Sequence, residues 1–392
     1  MEKLPVFAFI WPPSRTLGWG QVAIHAGMDM IERGTAPLFL AEAGAAIMEA
    51  DQWSRIGPAM AASEGLRTAL SQMMSQGQCV TLDGVAVLHP LGDHMQAHAI
   101  SGLLRGRPNL SLPCFCDEIL DEAALDSLNR FDRHIVLCGY NRDLLADHGI
   151  HNTTLTIQGI DPVMRPGPRR GRFAGRFAIY SGGKLEYRKG QDIVVAAFKA
   201  FHSRHPEALL VTAWRSPFVG SAASLIEGGL VVQAPGTGPD GGLDLAGWLA
   251  ANGIGPDDSL DLGMVGHADL REVLIECDVA IFPNRSEPAT NLMAMEAMAC
   301  GLPTAVSANT GHTDILDLGD CLPFTDQRPV AGAHRARWGE SSVDEIVAVM
   351  EQVYRDRDGA AAMGLAGSRT IISRWTWSGF VDGLCEAVSA AS

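Results

Sequence analysis

Two glutamates, Glu287 and Glu296, lie close together in the most informative stretch of this 392-residue chain. Glu287 follows an apolar run, residues 278–283, that is typical of a buried strand in a parallel sheet. Glu296 lies in the helix predicted next. A helix that starts at the carboxyl edge of a sheet directs free N–H groups at its ligand, and an anion such as a diphosphate suits it. Carboxylates beside such an anion accept hydrogen bonds from hydroxyl groups, so we expect both glutamates to contact a ribose or another sugar.

The sequence marks the bounds of this helix. Thr290 or Asn291 can cap its start, and Gly301 followed by Pro303 ends it. An ordinary strand, loop and helix with surface acids is the alternative interpretation.

Residues 287–303 resemble the signature of the retaining glycosyltransferases of family 4, which have the two-domain GT-B fold. That signature is a glutamate, seven residues, a second glutamate and Ala-Met-Ala-x-Gly-x-Pro, and its second part is matched fully from Glu296 onward. The resemblance implies that Glu296 holds the ribose hydroxyls of a nucleotide sugar and that Glu287 contacts the transferred sugar. Eight residues separate the two glutamates here, so the loop is one residue longer than in the family. By the same resemblance the donor also contacts Thr290, Asn291 and Leu292.

A basic element follows the predicted strand 177–181. The strand ends in two glycines, the second of which is Gly183, and Lys184 and Lys189 come next. Lysines at that edge can neutralise two phosphates and stabilise the charge on a departing nucleoside diphosphate. The element resembles the family's Gly-Arg-Leu…Lys-Gly motif, with Lys184 in the position of the arginine. The resemblance implies that all three residues bind the donor and that both lysines act in catalysis. A solvated basic turn is the alternative.

The first half has a glycine loop after its first predicted strand. Gly18 and Gly20 open an apolar-periodic helix, and in family 4 a loop here presents backbone N–H groups to the donor. With Ala23 and Glu42 the same glycines also imitate a dinucleotide-binding fingerprint, which leaves a nicotinamide-dependent oxidoreductase as an alternative. That fingerprint places its first glycine directly at the strand end, whereas here residues 12–17 intervene.

Two acids, Asp117 and Glu118, follow another predicted strand in the first half. In many members of family 4 a histidine stands at this strand edge near the donor sugar, and in one branch an acid replaces it. By that resemblance either Asp117 or Glu118 can accept a hydrogen bond from a sugar hydroxyl, and we place Glu118 among the catalytic residues. Capping of a helix that starts at Ile119 is an equal alternative.

Several histidines fall near the predicted site. His94 and His98 lie four residues apart on a predicted helix capped by Asp93, and such a pair binds a metal ion only with a third ligand. Because family 4 is not known to need a metal, we expect no metal and no cofactor.

Three further positions match the family by place alone. His312 lies where family members have a small loop beside the diphosphate, and His89 ends a strand that can face donor or acceptor. Val265 and His267 fall where the family's backbone reads the nucleotide base.

Composition narrows the class of protein. The formal net charge of −15 argues against nucleic acid and anionic lipid as partners, because both require a basic face. The eight cysteines lack paired spacing, which favours a reducing compartment. The apolar run near the start is too short for a signal peptide or an integral membrane segment, so we expect a cytoplasmic protein.

Strands and helices alternate along both halves, which predicts an α/β fold with parallel sheets. Residues 163–175 are polar, basic and rich in helix breakers, as linkers are. The predicted strands are 6–11, 37–41, 85–89, 112–116, 134–138 and 154–157 before this segment, and 177–181, 209–213, 259–264, 279–282 and 304–307 after it.

By resemblance to GT-B proteins, we expect two Rossmann-like domains facing across a cleft. Residues 1–165 would bind the acceptor and residues 166–374 the nucleotide sugar. Residues 375–392 would form a helix that returns to the first domain, anchored by Trp375 and Trp377.

The predicted function is that of a retaining glycosyltransferase, which moves a sugar from a nucleotide-diphosphate sugar to an acceptor. Family 4 is thought to use same-face attack, in which the leaving diphosphate helps to take the acceptor proton. The acceptor, whether a sugar, a lipid-linked group or a protein, is not identified by the sequence. A non-catalytic sugar-nucleotide binding protein is a further alternative, because the longer loop between the glutamates departs from the family.

Overall fold

The computed structural model describes residues 4–43, 48–239 and 241–391. The chain forms two units, and each is described by itself. Residues up to Gly159, together with those from Trp375 onward, form the first unit, and Ile160–Arg374 form the second. The segment 163–175 therefore lies wholly within the second unit. Its backbone is bound there, because the amide groups of Arg170, Gly171 and Arg172 donate to the carboxylate of Glu276.

The first unit is built on a six-stranded parallel sheet. The strands are β1 (Val6–Phe9), β2 (Leu38–Phe39), β3 (Val80–Leu91), β4 (Leu104–Pro113), β5 (Arg133–Val136) and β6 (Thr153–Leu155). Their order in the sheet is β2-β1-β3-β4-β5-β6. Chain direction across the sheet therefore reverses between β1 and β3, as in doubly wound folds. Phe7 and Phe9 of β1 are fully buried, as expected for a strand with both faces covered.

Five α-helices accompany this sheet in the described residues before the chain leaves the first unit. They are α1 (Gly18–Glu32), α2 (Ala50–Ala62), α3 (Glu64–Ser75), α4 (Glu122–Leu128) and α5 (Gly139–Asp147). Asp121 caps α4, since its Oδ1 accepts from the amide of Ala124 at 2.8 Å. The predicted capping of a helix at Ile119 is therefore wrong.

The second unit repeats the plan of the first. Its strands are β7 (Phe177–Gly182), β8 (Ala208–Ala213), β9 (Ser259–Asp261), β10 (Val279–Phe282), β11 (Thr304–Ser307) and β12 (Leu322–Phe324). All neighbours are parallel, in the order β12-β11-β10-β7-β8-β9. The direction of winding reverses between β7 and β10. A small antiparallel pair, β13 (Gln327–Pro329) and β14 (Gly339–Ser341), was not expected from the sequence.

Seven α-helices pack in this unit, among its described residues. They are α6 (Gln191–His202), α7 (Leu245–Ala251), α8 (His267–Leu274), α9 (Leu292–Ala299), α10 (Thr313–Leu316), α11 (Val343–Arg355) and α12 (Arg357–Arg374). Large side chains fill the core between helices and sheet. Phe177, Phe198, Phe201 and Trp214 are fully buried there.

The last helix, α13 (Trp377–Ala391), belongs to the first unit. The ring of Trp377 stacks on His25 of α1, with 5.0 Å between ring centres and 11° between planes. Trp377 is buried, whereas Trp375 is only half-buried, so one tryptophan provides most of the anchor. An ion pair between Arg33 and Asp382 at 2.5 Å adds a surface contact.

Two expectations about local structure are wrong. His94 and His98 do not share a helix, because His94 lies in a short 3₁₀ turn with a φ of 54° and His98 precedes a second one. Asp93 caps no α-helix there, and its Oδ1 instead accepts from the amide of Cys116 at 2.9 Å. Among the described residues, none of the helices combines the length and the apolar character needed to cross a membrane.

Candidate active site

The winding reversal between β7 and β10 defines where a ligand is expected in the second unit. In open parallel sheets, ligands bind outside the carboxyl ends of the strands at such a reversal. β7 ends at Gly182 and is followed at once by Gly183 and Lys184, and β10 ends at Phe282 and leads to Glu287. The fold thus brings together at one sheet edge two elements that are about a hundred residues apart in sequence.

The loop after β7 carries the first of the predicted cations. Gly183 has a φ of 114°, a conformation open to glycine and strained for other residues. Lys184 remains 32% exposed, and its Nζ lies 2.7 Å from Glu186 Oε2. The amino group is therefore at the surface of this edge, where a phosphate could exchange for the carboxylate.

A tight 3₁₀ turn, Tyr187–Lys189, brings the second cation to Glu287. The ammonium group of Lys189 and the side-chain amide of Asn284 both donate to Glu287 Oε1. Arg188 Nη1 lies 3.3 Å from the other oxygen, Oε2. Glu287 is only 2% exposed, so nearly all its partners come from the protein.

These cations decide the charge of Glu287. Burial by itself raises the pKa of the carboxyl, but Lys189 and Arg188, with a smaller contribution from His312, lower it from 4.5 to about 2. Glu287 is therefore an anion at neutral pH and cannot serve as a proton donor. As an anion it can orient the lysine and accept a hydrogen bond from a sugar hydroxyl.

Helix α9 begins next to this carboxylate, but its cap differs from the prediction. Asn291 occupies the cap position with a φ of 63°, and its side chain makes no capping hydrogen bond. Its Nδ2 instead lies 3.0 Å from His312 Nε2. The hydroxyl of Thr290 also fails to cap and points to the sulfur of Met295 at 3.0 Å. Leu292, the first helical residue, is half-buried beside them.

His312 belongs to the loop after β11. Its Nδ1 lies 2.9 Å from Ser307 Oγ, and the residue is fully buried. Burial lowers the pKa of this imidazole to about 4, so the ring is neutral at pH 7. The neutral ring is hydrogen-bonded to Asn291 and Ser307, and so it holds the start of α9 in place.

Glu296 lies inside α9 and is 5% exposed. Its Oε1 is 3.5 Å from His267 Nε2, whereas Oε2 has no hydrogen-bond partner among the residues that the structure describes. Burial raises the pKa of this carboxyl, opposed by His267 and aided by Asp161. A buried oxygen without a partner is costly, and a hydroxyl donor from a ligand would satisfy it.

His267 approaches the site with its side chain, where sequence reasoning assigned only its backbone. Its Nδ1 lies 2.8 Å from Asp161 Oδ2, and its Nε2 faces Glu296. Gly266 is the N-cap residue of α8, and Val265 precedes it half-buried. The imidazole therefore orients Glu296 from the side of α8.

The remaining predicted residues lie in the first unit. Gly18 is the first residue of α1, and its carbonyl accepts from Gln158 Nε2 at 3.3 Å. Gly20 allows α1 to approach the preceding loop, because a Cβ there would lie 2.3 Å from the carbonyl oxygen of Ser14. This loop separates β1 from α1, so the glycines do not stand at a strand end as a dinucleotide fingerprint requires.

The two acids of the first unit have different partners. Glu118 is buried, and its Oε1 accepts from the hydroxyl of Tyr140 at 2.8 Å. Asp117 Oδ2 accepts from the amide of His94 at 3.0 Å. His89 is fully buried, with Nδ1 2.9 Å from Ser101 Oγ.

Three residues of the site, Asn284, Arg188 and Arg285, were not predicted from the sequence. The first two contact Glu287 directly, and Arg285 lies beneath the turn that carries Lys189. Arg188 could have been predicted as a site residue, because it lies beside Lys189 in the basic element. Arg285 gave no signal, since an arginine next to a strand is usually a surface residue.

Comparisons with known proteins agree with this architecture. Residues 236–336 match the family described as Glycosyl transferases group 1. Sucrose-phosphate synthase from Thermosynechococcus elongatus superposes with a TM-score of 0.64 at 14% identity, over 99% of this chain and 100% of that one. HepE from Anabaena, solved in complex with UDP and glucose, gives 0.66 at 12% identity over 98% and 99%.

The fold is the GT-B fold. These superpositions cover both units, and in this chain α13 returns to the first unit. A glycogen synthase from Mycobacterium tuberculosis is 24% identical over 246 residues, which make up 62% of this chain and 50% of that protein. The chain spans about half the length of the curated relatives it matches. It is thus similar to GT-B glycosyltransferases of group 1.

Proposed function

We propose that this protein is a retaining, metal-independent glycosyltransferase of family 4 that acts in carbohydrate biosynthesis. The second unit would bind a nucleotide-diphosphate sugar and the first unit the acceptor. One observation carries the proposal: Glu296 keeps a buried oxygen without a partner among the described residues, at the sheet edge that also holds Lys184 and Lys189. A ribose hydroxyl and a diphosphate are the matching ligand groups. The unpaired spacing of its cysteines favours a cytoplasmic protein.

The residues of the second unit have distinct roles in this proposal. Glu296 accepts from the ribose, and Lys184 and Lys189 bind the diphosphate together with the start of α9. As the bond between the sugar carbon and the diphosphate oxygen breaks, the lysines stabilise the charge that develops on that oxygen. The acceptor oxygen attacks from the same face, and its proton passes to the leaving diphosphate. Glu287, an anion, orients Lys189 and contacts the sugar.

The nucleotide can be found by a thermal melting screen. UDP is the first candidate, because HepE was solved with it, and GDP and ADP complete the set. A ligand at about a hundred times its dissociation constant adds about 2.7 kcal/mol, which corresponds to a rise in melting temperature of about 5–11 °C for a unit of this size. We expect one nucleotide to raise the melting temperature above the other two.

Two variants test the assigned roles. Glu296→Ala should abolish the nucleotide-induced shift, whereas Glu351→Ala, a matched change at another buried glutamate of the second unit, should preserve it. Lys189→Ala should lower turnover by about 100-fold, whereas Lys199→Ala, an exposed lysine on α6, should not.

Other outcomes would identify the alternatives. Unchanged nucleotide affinity in Glu296→Ala would contradict the proposed ribose contact. Nucleotide-sugar binding with neither transfer nor slow hydrolysis would indicate a binding protein. Saturable binding of NADH in an absorbance titration would indicate an oxidoreductase.

A further inference from the structure

Arg285 is a fully buried arginine for which the proposed reaction has no direct use. Its guanidinium group donates four hydrogen bonds and makes an ion pair with Glu340. Nη1 donates to Asp192 Oδ1 at 2.8 Å and to the Tyr187 carbonyl at 2.6 Å. Nη2 lies 2.7 Å from Asp192 Oδ2 and 2.7 Å from Glu340 Oε2, and Nε donates to the same glutamate oxygen at 2.8 Å.

The many hydrogen-bond partners of the Arg285 guanidinium group indicate a specific role. A buried guanidinium group is costly unless its charge and every donor are compensated, and here two carboxylates and one carbonyl do so. The ring of Tyr187 covers the guanidinium group at 3.9 Å. Lysine could not replace it, because an ammonium group lacks the planar fork that matches Asp192.

Two of the three partners of Arg285 belong to segments around the cationic turn, and the third, Glu340, lies in β14. Tyr187 begins that turn, and Asp192 lies in the first turn of the helix that follows it. The backbone makes the same connection, since the amide of Arg285 donates to the carbonyl of Arg188 at 2.7 Å. Gly190 then closes the turn with a φ of 69°, and a Cβ there would lie 2.3 Å from the carbonyl oxygen of Pro283.

A second segment closes over the same cluster. Gly228 ends the 3₁₀ helix Val219–Gly228, and a Cβ at this position would lie 2.0 Å from Asp192 Oδ2 and 2.7 Å from Arg285 Nη2. Only glycine, which has no Cβ, fits at this position without displacing these two side chains. A methyl group at residue 228 would therefore push on the Arg285–Asp192 pair without removing any charge.

We infer that Arg285 is a positioning residue that fixes the turn 187–190, and so sets the place of Lys189 beside Glu287. The inference rests on the proposed function where it assigns Lys189 to the diphosphate. The fixed turn itself follows from the contacts of Arg285 alone. Because a misplacement of about 1 Å can lower a rate about 100-fold, a loosened turn would slow transfer without removing any group that touches the substrate.

Hydrogen exchange on the full-length protein tests the fixed turn without any ligand. The amides of Lys189 and Gly190 are hydrogen-bonded inside the turn, to Glu186 and Tyr187. Arg285→Lys should raise exchange at these two amides by at least about 10-fold, because the lysine leaves acceptors of the turn unbonded. Gly228→Ala should do the same by displacing the pair, and it covers the case in which Arg285→Lys does not fold.

Arg176→Lys is the matched control. Arg176 is also a multiply bonded arginine of the second unit, and it donates to the carbonyls of Glu207, Ala208 and Asp257 near the amino end of β7. We expect exchange in the turn to be unchanged by this variant. Equal exchange at Lys189 and Gly190 in Arg285→Lys, Gly228→Ala and Arg176→Lys would overturn the inference.

Kinetics then test whether Lys189 transmits the effect. UDP-glucose, GDP-mannose and ADP-glucose serve as probe donors, and hydrolysis or transfer is followed by release of the nucleotide. Arg285→Lys should lower kcat by about 10- to 100-fold with little change in KM, and it should cost nothing further in a Lys189→Ala background. If Arg285→Lys lowers kcat by the same factor in the wild-type and Lys189→Ala backgrounds, the positioning role is contradicted. A general loss of stability would give that result, because it acts in both backgrounds. If the wild type turns over none of the probes while exchange in the turn rises as expected, the proposed function fails and the fixed turn stands.

Discussion

Glu287→Gln probes the charge network that holds the candidate site together. The substitution keeps the size of the side chain and removes its charge, so that Lys189 and Arg188 lose their shared counter-ion. In the wild type these cations lower the pKa of Glu287 from 4.5 to about 2. At about 1.4 kcal/mol per pH unit, this lowering is worth about 3 kcal/mol of folding stability at pH 7. Because Glu287 is almost fully buried, solvent screens little of it.

The pH dependence has a definite sign. A carboxyl group with a lowered pKa in the folded state stabilises the protein above its unfolded pKa, here 4.5, and the stabilisation is lost as the pH falls towards about 2. The stability difference between wild type and Glu287→Gln should therefore be about 3 kcal/mol at pH 7 and should shrink between pH 4.5 and 2.

The assay must report on the second unit alone, because the chain has two units. Hydrogen exchange of β10 amides at increasing denaturant gives the free energy of opening for the region next to Glu287. Glu227→Gln is the control, since its ion pair with Arg335 at 3.0 Å is at the surface and should be worth less than about 1 kcal/mol. A loss in Glu287→Gln no larger than in this control, or a difference that does not vary below pH 4.5, would refute the reasoning.

Two further substitutions test the turn and the returning helix. Gly190→Ala should destabilise the second unit by at least about 2 kcal/mol in melting experiments, because it adds a clash with the Pro283 carbonyl to a strained φ. Gly175→Ala is its control. Gly175 has a φ of 77° and no atom within 4 Å of an added Cβ, so this change should cost only about 1 kcal/mol. Trp377→Ala should cost the first unit about 3–5 kcal/mol, measured by exchange in α1, since it removes a buried ring from His25. Trp53→Ala, which truncates a ring that is 40% exposed, is its control, and an equal effect of the two tryptophan changes would contradict the anchoring role.

The α/β pattern was readable from the sequence because strands and helices leave local signals. Buried parallel strands are continuous apolar runs, and β7, β10 and β11 were predicted within a residue of their bounds. The strand predicted at 112–116 was displaced, because β4 starts at Leu104 and ends at Pro113. Small and polar residues in the first half of β4 hide the two-residue hydrophobic period of a strand. The apolar residues that follow β4, which were predicted as part of the strand, belong to a loop.

In the candidate site, residue types and their spacing are enough to identify the chemical groups that are present. Four residues stand out because their types and spacing in strand–loop–helix segments resemble the family 4 motifs: Glu296, Glu287, Lys184 and Lys189. Their contacts were decided only by the tertiary structure. The meeting of Lys189 with Glu287 and of His312 with Asn291 joins residues 98 and 21 positions apart, and no local pattern encodes such pairs.

Arg285 shows the physical reason for this division. Its neighbours in sequence give no sign that it is buried, because burial of a charge depends on acceptors brought from elsewhere in the chain. Asp192 and Glu340 arrive from α6 and β14, 93 and 55 residues away, and make burial of the guanidinium group tolerable. Periodicity and motif spacing therefore fixed the elements and the reactive side chains, whereas the packing of distant loops decided which charges meet at the sheet edge.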